Sequence, residues 1–290
     1  MKTAWQEKAV KLTLFSAAST SILIVLGIFT FLGKEAGHFA VTPGIEKLLS
    51  GRWVPVSFQE ESFGLLPLIT GSLLVTVLAM VLTIPFGVGA SVYISELARP
   101  LEREILKPFI EILAGIPSVV IGFFGLVVLA PLVKGAFGLP TGFTALTGAA
   151  LLALMAIPTV ISISEDAIRS VPESYKAASL ALGASRMQTM WRVTVPAALP
   201  GIVAAVMLGT GRVIGETMAV MMVTGNAAVI TGSPFKSVRT MTATIAAEMG
   251  EVPFGSEHYR ALFCVGIVLL LATFGLNIIA QKVLKKYRMG

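Results

Sequence analysis

The sequence predicts an all-α, polytopic membrane protein with six transmembrane helices. Three observations carry this. The 290 residues are 55% hydrophobic and 13% charged, against about 25% charged in a soluble domain. Their mean hydropathy is +0.86. Six uncharged apolar windows run Leu12–Leu32, Leu65–Ile94, Ile112–Leu132, Thr141–Ile163, Ala197–Thr224 and Ala261–Ala280, each near or above the roughly 20 residues that cross a bilayer. The net charge of +6 fits basic flanks of membrane spans, and no nucleic-acid partner is expected.

The first window follows a basic start (Lys2, Lys8, Lys11). It is too long for a signal peptide and no small-residue cleavage site follows, so it reads as a retained anchor. The segment Lys34–Gly64 is loop-like, with Pro43, Gly44, Gly51 and Pro55. The second and fourth windows exceed the minimum. The last contains Cys264, the single cysteine, which excludes an internal disulfide and reads as a small hydrophobe. Between the fifth and sixth windows lies a second long segment, Asn226–Arg260. Within it Met241, Ile245 and Met249 fall at helical spacing, which predicts a short amphipathic helix at the outer surface, favoured as interfacial packing over partner docking. Placing both termini inside puts fourteen Lys and Arg on the inner side and seven on the outer, so the positive bias predicts cytoplasmic N- and C-termini.

The segment between the fourth and fifth windows carries repeated cap signals. Ser170 with Glu173 has capping-box spacing, and so does Ser185 with Gln188. Gly183 suits a helix stop. Pro196 and Pro200 end the second helix and restart the chain into the membrane. Two short helices at an angle result, exposing Tyr175, Met187, Met190 and Trp191. Such a knob suits a cleft on another protein, and equally suits a loop that caps the bundle. The pair Glu165-Asp166 opens this segment and is expected to solvate a helix end.

The fifth window is interrupted by charge. Nineteen uncharged residues precede Arg212 and nineteen follow Glu216. A charge near the bilayer centre costs about 2.5–3.5 kcal/mol on insertion scales, and intramembrane charges mark function by default. At i and i+4 of one helix the two side chains share a face, with Thr210 and Thr217 nearby. Gly209, Gly211 and Gly215 lie close, and the last two form a Gly-x-x-x-Gly pair that lets another helix approach. Two readings stand: a buried ion pair that joins helices, or a transient anion site in which the planar guanidinium meets oxyanion oxygens and Glu216 moderates the potential.

No phosphate-binding Gly-x-x-x-x-Gly-Lys-Ser/Thr loop is present; Gly33-Lys34 is followed by Glu35. Two histidines, His38 and His258, are too few for a metal site. No catalytic constellation is visible, and no cofactor is expected in the chain.

These motifs resemble a known family. Gly183, twelve residues and Pro196 match the cytoplasmic "EAA" motif of type I ABC importer permeases, with Val193-Thr-Val-Pro196 at its end. The motif's glutamate falls on Ala177, in Ala177-Ala178-Ser179, which removes a salt bridge to an ATPase subunit and leaves the helix–turn–helix shape. Gly115-Ile-Pro-Ser-Val-Val-Ile-Gly122 resembles the third-span signature of phosphate-specific permeases. Gly211-Arg-Val-Ile-Gly-Glu-Thr-Met-Ala-Val220, followed by Gly225-Asn226, resembles the fifth-span signature of their PstC subunits, as does Phe63–Ser72 ahead of the second span. The resemblance covers most of the chain from Phe63 onward.

It implies a MetI-like permease fold: an added anchor with its outer segment over 1–62, and a five-helix core over 63–290 that includes a cytoplasmic coupling segment over 165–196. It implies the channel subunit of an ATP-driven inorganic phosphate importer working by alternating access, not itself an enzyme. The implied partners are a homologous PstA-like permease, two ATP-binding subunits that bind ATP in this chain's stead, an extracytoplasmic phosphate-binding protein and the lipid bilayer of a bacterial or archaeal inner membrane. Arg212, Glu216, Thr210 and Thr217 would line the substrate path. Glu173, Tyr175, Ala177, Ala178, Gly183, Ser185, Trp191 and Pro196 would meet the ATPase. An importer of another oxyanion, such as phosphonate or sulfate, is the alternative; an ion-coupled secondary transporter would show inverted repeats, and none is seen.

Overall fold

The computed structural model describes residues 2–57 and 60–288. Met1, 58–59 and 289–290, included in the boundaries above, lie outside the described residues, as do the side chains of Lys2, Pro43, Lys286 and Arg288. Twelve α-helices follow one another among the described residues: α1 (Lys2–Phe39), α2 (Leu66–Val92), α3 (Pro100–Ala114), α4 (Ser118–Phe124), α5 (Ala130–Phe137), α6 (Ala145–Arg169), α7 (Glu173–Ala181), α8 (Arg186–Thr189), α9 (Val195–Gly215), α10 (Met218–Val223), α11 (Met241–Glu248) and α12 (Glu257–Arg288). Single π-helical turns extend α2 to Leu97, join α4 to α5 and join α8 to α9. Six of the resulting helices are long and apolar enough to cross a membrane: Glu7–Phe39, Leu66–Leu97, Ser118–Phe137, Ala145–Arg169, Arg186–Gly215 and Glu257–Lys282.

The centre is α6, whose Leu151, Leu152, Met155, Ala156 and Val160 are buried. It packs between α2 and α9, and glycine decides how closely. A Cβ on Gly87 of α2 would come within 2.9 Å of a Val160 methyl, and one on Gly209 of α9 within 2.7 Å. Where lipid is as apolar as the side chains, such close packing holds helices together. Gly209 is therefore the glycine that admits a neighbouring helix; Gly211 and Gly215 are exposed and meet nothing within 4 Å in this chain. Helix α1 lies at the edge and rests on α12, with Phe31 edge-on to Phe263 at 5.4 Å.

The segment after α1 is more ordered than a loop. It winds through a π turn and a 3-10 turn into a short antiparallel hairpin, β1 (Trp53–Val54) with β2 (Ser62–Phe63), Trp53 opposite Phe63. Phe39, Trp53 and Phe63 pack edge to face. At the same end, the chain after α10 turns back at Gly225 and Asn226, both with positive φ, and Asn226 Nδ2 caps α10 by donating to Met221 O at 2.7 Å. This return strand-like stretch caps α6 as well: Ala145 N–H donates to Lys236 O and Leu146 N–H to Pro234 O. Helix α11 is not the surface helix expected from Met241, Ile245 and Met249. Met241, Thr242, Ala243 and Thr244 are all buried, because α11 docks into the bundle against α2, α10 and α12. Its end is fixed by Glu248, which holds Arg239 at 2.7 Å and His258 at 2.8 Å and accepts from Trp53 Nε1 at 3.1 Å. Cys264 is buried against α1, its Sγ 3.8 Å from Ala36 O, in keeping with a packing role.

Two predicted spans are broken. The third is a kinked pair: α3 stops at Ala114, Gly115–Pro117 are non-helical, and the spanning helix begins at Ser118 rather than Ile112. A proline disfavours helical conformation in the residue before it and removes an N–H, which explains the break. The fifth stops at Gly215, and Glu216 is extended, with φ −70° and ψ 134°.

Candidate functional site

The break in the fifth span rearranges the predicted pair. Arg212 ends α9 while Glu216 lies beyond it, so the two do not share a helix face as the i, i+4 spacing predicts, and among the described residues no ion pair joins them. Instead, Arg212 Nη1 donates to Thr159 Oγ1 of α6 at 3.3 Å. Arg212 lies in the last turn of α9, seventeen positions beyond Val195, or about 26 Å along the helix at 1.5 Å per residue. Arg212 is half-buried, and among the described residues its guanidinium makes this one hydrogen bond and meets no carboxylate. An arginine has five N–H donors in a planar fork, of which the bond to Thr159 uses one.

Glu216 works on its own side of the break. Its Oε1 accepts the Ala219 N–H at 3.4 Å, covering an orphan donor of α10, and its carbonyl accepts from Thr242 Oγ1 of the buried α11 at 2.8 Å. Thr210 and Thr217 turn their hydroxyl protons to their own backbone, Thr210 to Val206 O at 2.8 Å and Thr217 to Gly215 O at 3.2 Å. The other broken helix comes alongside: α4 packs on α10 so closely that a Cβ on Gly122 would lie 2.8 Å from Met222 Sδ and 3.0 Å from Ala219 Cα. Two interrupted helices, an arginine and a glutamate thus share one region. Thr159 and Thr242 escaped the sequence reading. The signal for Thr159 is weak, a hydroxyl after Pro158 in an apolar span; for Thr242 there is none.

At the other end of the bundle α7 and α8 form the predicted knob. Gly183 makes the turn at φ +84°, with no atom near where a Cβ would be. The Ser185–Gln188 capping box forms, with Gln188 N–H to Ser185 Oγ at 3.2 Å and Ser185 N–H to Gln188 Oε1 at 2.8 Å. The Ser170–Glu173 box does not: Pro172 takes the cap position of α7 without a side-chain bond, and Ser170 Oγ donates to Ala167 O. Nor do the prolines end the second helix. Pro196 sits in the first turn of α9 and Pro200 within it, and the chain stays helical from Arg186 to Gly215. Tyr175, Met187 and Trp191 are more than half exposed, as predicted, together with Glu173, Ala177, Ala178 and Ser185. Met190 is buried beside Ile168, Ala198 and Ile202, where it roots the knob in the bundle.

Glu165 corrects the sequence reading outright. Asp166 is solvated, but Glu165 is buried, its side chain 2% exposed, 2.8 Å from Lys107 Nζ. That hydrogen bond holds the Lys107 ammonium above its ordinary 10.5. A raised pKa contributes stability that is fully present below 10.5 and is lost as pH rises from there through the higher folded value, so this contribution of Lys107 is intact throughout the neutral range.

Residues 83–288 match the family described as binding-protein-dependent transport system inner membrane component. A probable ABC transporter permease of Bacillus subtilis, YqgH, is 41% identical over 89% of this chain and 82% of its own length. The phosphate transport system permease PstC of Mesorhizobium japonicum is 36% identical over 93% of this chain and 88% of its own. Among solved structures, a bacterial ABC transporter involved in the import of alginate superposes over 97% of this chain and 98% of that one, with TM-score 0.65 and 13% identity. The MetNI methionine ABC transporter in an inward-facing conformation covers 77% of this chain and 94% of its own, with TM-score 0.57 and 18% identity.

Proposed function

The chain belongs to the family of binding-protein-dependent transport inner-membrane components, and from that premise we propose that it is the channel subunit of an ATP-driven importer of inorganic phosphate. It is not an enzyme; it moves its cargo without making or breaking bonds. The observation that carries the reading is Arg212: an arginine within a helix long and apolar enough to cross a membrane, hydrogen-bonded to Thr159 and, among the described residues, paired with no carboxylate. A cation so placed is costly unless an anion repays it in transit. The phosphate cargo is supported by a relative named as a phosphate permease at 36% identity over 93% of this chain.

The knob faces the cytoplasm in this reading, and so do both termini. Two ATP-binding subunits take up Tyr175, Met187 and Trp191, a PstA-like permease lies beside the exposed Gly211–Gly215 face, and a phosphate-binding protein delivers cargo at the hairpin end. Closure of the ATPase pair pushes the knob, the spans rock, and phosphate passes Arg212 from one side to the other, an alternating-access cycle of rigid-body movements.

The test is radiolabelled phosphate uptake at low external concentration, in cells lacking other phosphate transporters, with and without this chain. Restored uptake that excess sulfate or phosphonate does not compete supports the proposal. Equal uptake with and without the chain refutes the phosphate assignment.

A further inference from the structure

Helix α3 is held unlike any other long helix of the bundle. None of its residues is buried; Leu101, Ile105, Phe109 and Ile112 are each more than 60% exposed. Its apolar contact within this chain is slight, from half-buried residues such as Leu106 and Ile110. What it has instead is a seam of charge. Lys107 Nζ lies 2.8 Å from Glu165 Oε2 and 3.1 Å from Asp166 Oδ1 of α6, and Arg103 Nε lies 3.7 Å from Glu165 Oε1. Arg169 reaches the same carboxylate from within α6 at 3.4 Å. Three cations thus converge on one buried carboxylate.

The seam continues to the knob. Arg103 Nη2 donates to Ser95 O at 2.9 Å, in the turn that ends α2. The next residue, Glu96, meets Lys176 of α7 at 2.9 Å. At its N-terminus α3 is tied to the same turn, where Glu102 accepts from Tyr93 Oη and from the Arg99 N–H. At its C-terminus lies the break at Gly115–Pro117, and α4 beyond it packs on α10 next to Glu216. A rod with a hinge at one end and a tether at the other needs one fixed point to transmit movement. Arg103 Nε, Ser95 Oγ and Ser164 Oγ are buried without a hydrogen-bond partner among the described residues.

We propose that Glu165 is a positioning residue for coupling: it registers α3 on α6, so that displacement of the knob, carried by Lys176 and Glu96, reaches the hinge at Gly115–Pro117 and the transport region beyond. The role rests on the importer reading above.

The experiment uses the whole complex in proteoliposomes and measures phosphate moved per ATP hydrolysed. Glu165→Gln keeps the shape and removes the charge. Coupling free energies span about 5- to 150-fold, and a fall of that order in the ratio is expected, with Glu165→Asp losing less. A merely structural carboxylate lowers the yield of complex and leaves the ratio alone, so an unchanged ratio in Glu165→Gln overturns the proposal. If that variant does not assemble, Arg103→Gln and Lys107→Gln, both at partly exposed cations, carry the same measurement; unchanged ratios in both overturn it. If the unaltered complex moves no phosphate, the importer reading falls and a second readout judges this one. Spin labels at Ile105 of α3 and Leu154 of α6 change separation on ATP addition in the unaltered complex and not in Glu165→Gln if the inference holds. Absence of change in the first, or persistence in the second, rejects it.

Discussion

At the residue scale, the structure separates two charges that the sequence places together, and the separation gives each its own prediction. Arg212 is anchored by a single hydrogen bond to Thr159, so replacing it with glutamine leaves the fold with one polar bond fewer and the path without its cation. Arg212→Gln is expected to abolish phosphate uptake while the complex still assembles, seen as full recovery of all subunits by affinity purification; normal uptake by that variant refutes the anion role. Glu216 differs because its side chain also serves the backbone, accepting the Ala219 N–H. A glutamine there keeps an acceptor oxygen at the same place. Glu216→Gln therefore isolates charge from capping: unchanged melting with a lowered maximal uptake rate points to charge in the path, whereas unchanged uptake assigns the carboxylate to capping α10. Glu216→Ala loses the cap as well, a change worth about 0.5–2 kcal/mol at a helix terminus.

At the element scale, the knob is the piece whose form local chemistry dictates. Gly183 sits at φ +84° with open space around it, so substitution there acts through the backbone alone. Proline is locked near −65° and cannot make the turn. Gly183→Pro is expected to leave the protein in the membrane and to break the link between ATP hydrolysis and uptake, read as hydrolysis that no longer rises with phosphate-loaded binding protein; retained stimulation overturns the knob's role. Alanine at the same site meets only the left-handed penalty, about 1–2 kcal/mol, and should be milder. Gly183, the Ser185–Gln188 box and the number of spans were legible in the sequence because each depends on neighbouring residues, whereas the Ser170–Glu173 box fails because Pro172 takes the cap position, and Pro196 and Pro200 sit inside α9 without ending it. The helix breaks were not legible, because a hydropathy window averages over three or four non-helical residues, and nothing in Gly215-Glu216-Thr217 distinguishes an extended turn from a helical one. Met190 and the buried α11 escaped for a different reason. Which side of a short amphipathic helix is covered depends on residues far away in sequence, here Ile168 and Ile202 for Met190. Glu165 is the sharpest case, since a carboxylate pair before a loop looks solvated until Lys107, 58 positions earlier, is brought to it.

At the scale of the whole molecule, the remaining question is which end faces inward, and it can be argued from charge and closed by accessibility. The two ends of the bundle differ in kind. One carries the knob with its exposed Tyr175, Leu182, Met187 and Trp191; the other carries the aromatic hairpin, the Glu248 cluster and the exposed Phe254. Basic residues in segments adjoining the spans favour the cytoplasmic side, and twice as many lie at the knob end as at the hairpin end. The importer reading proposed above puts the knob in the cytoplasm on this ground. The chain has a single native cysteine, Cys264, buried between α1 and α12, so Cys264→Ala removes the background at the expense of one sulfur atom in the core. On that background, cysteines at Leu182, 90% exposed on the knob, and at Phe254, 82% exposed at the far end, report the two faces without touching either charged site. A membrane-impermeant maleimide applied to intact spheroplasts is expected to label Phe254→Cys at once and Leu182→Cys only after permeabilisation. The opposite pattern would place the knob outside the cell, beyond reach of any ATP-binding partner, and with it the whole ATP-driven scheme would fall, whatever became of Arg212.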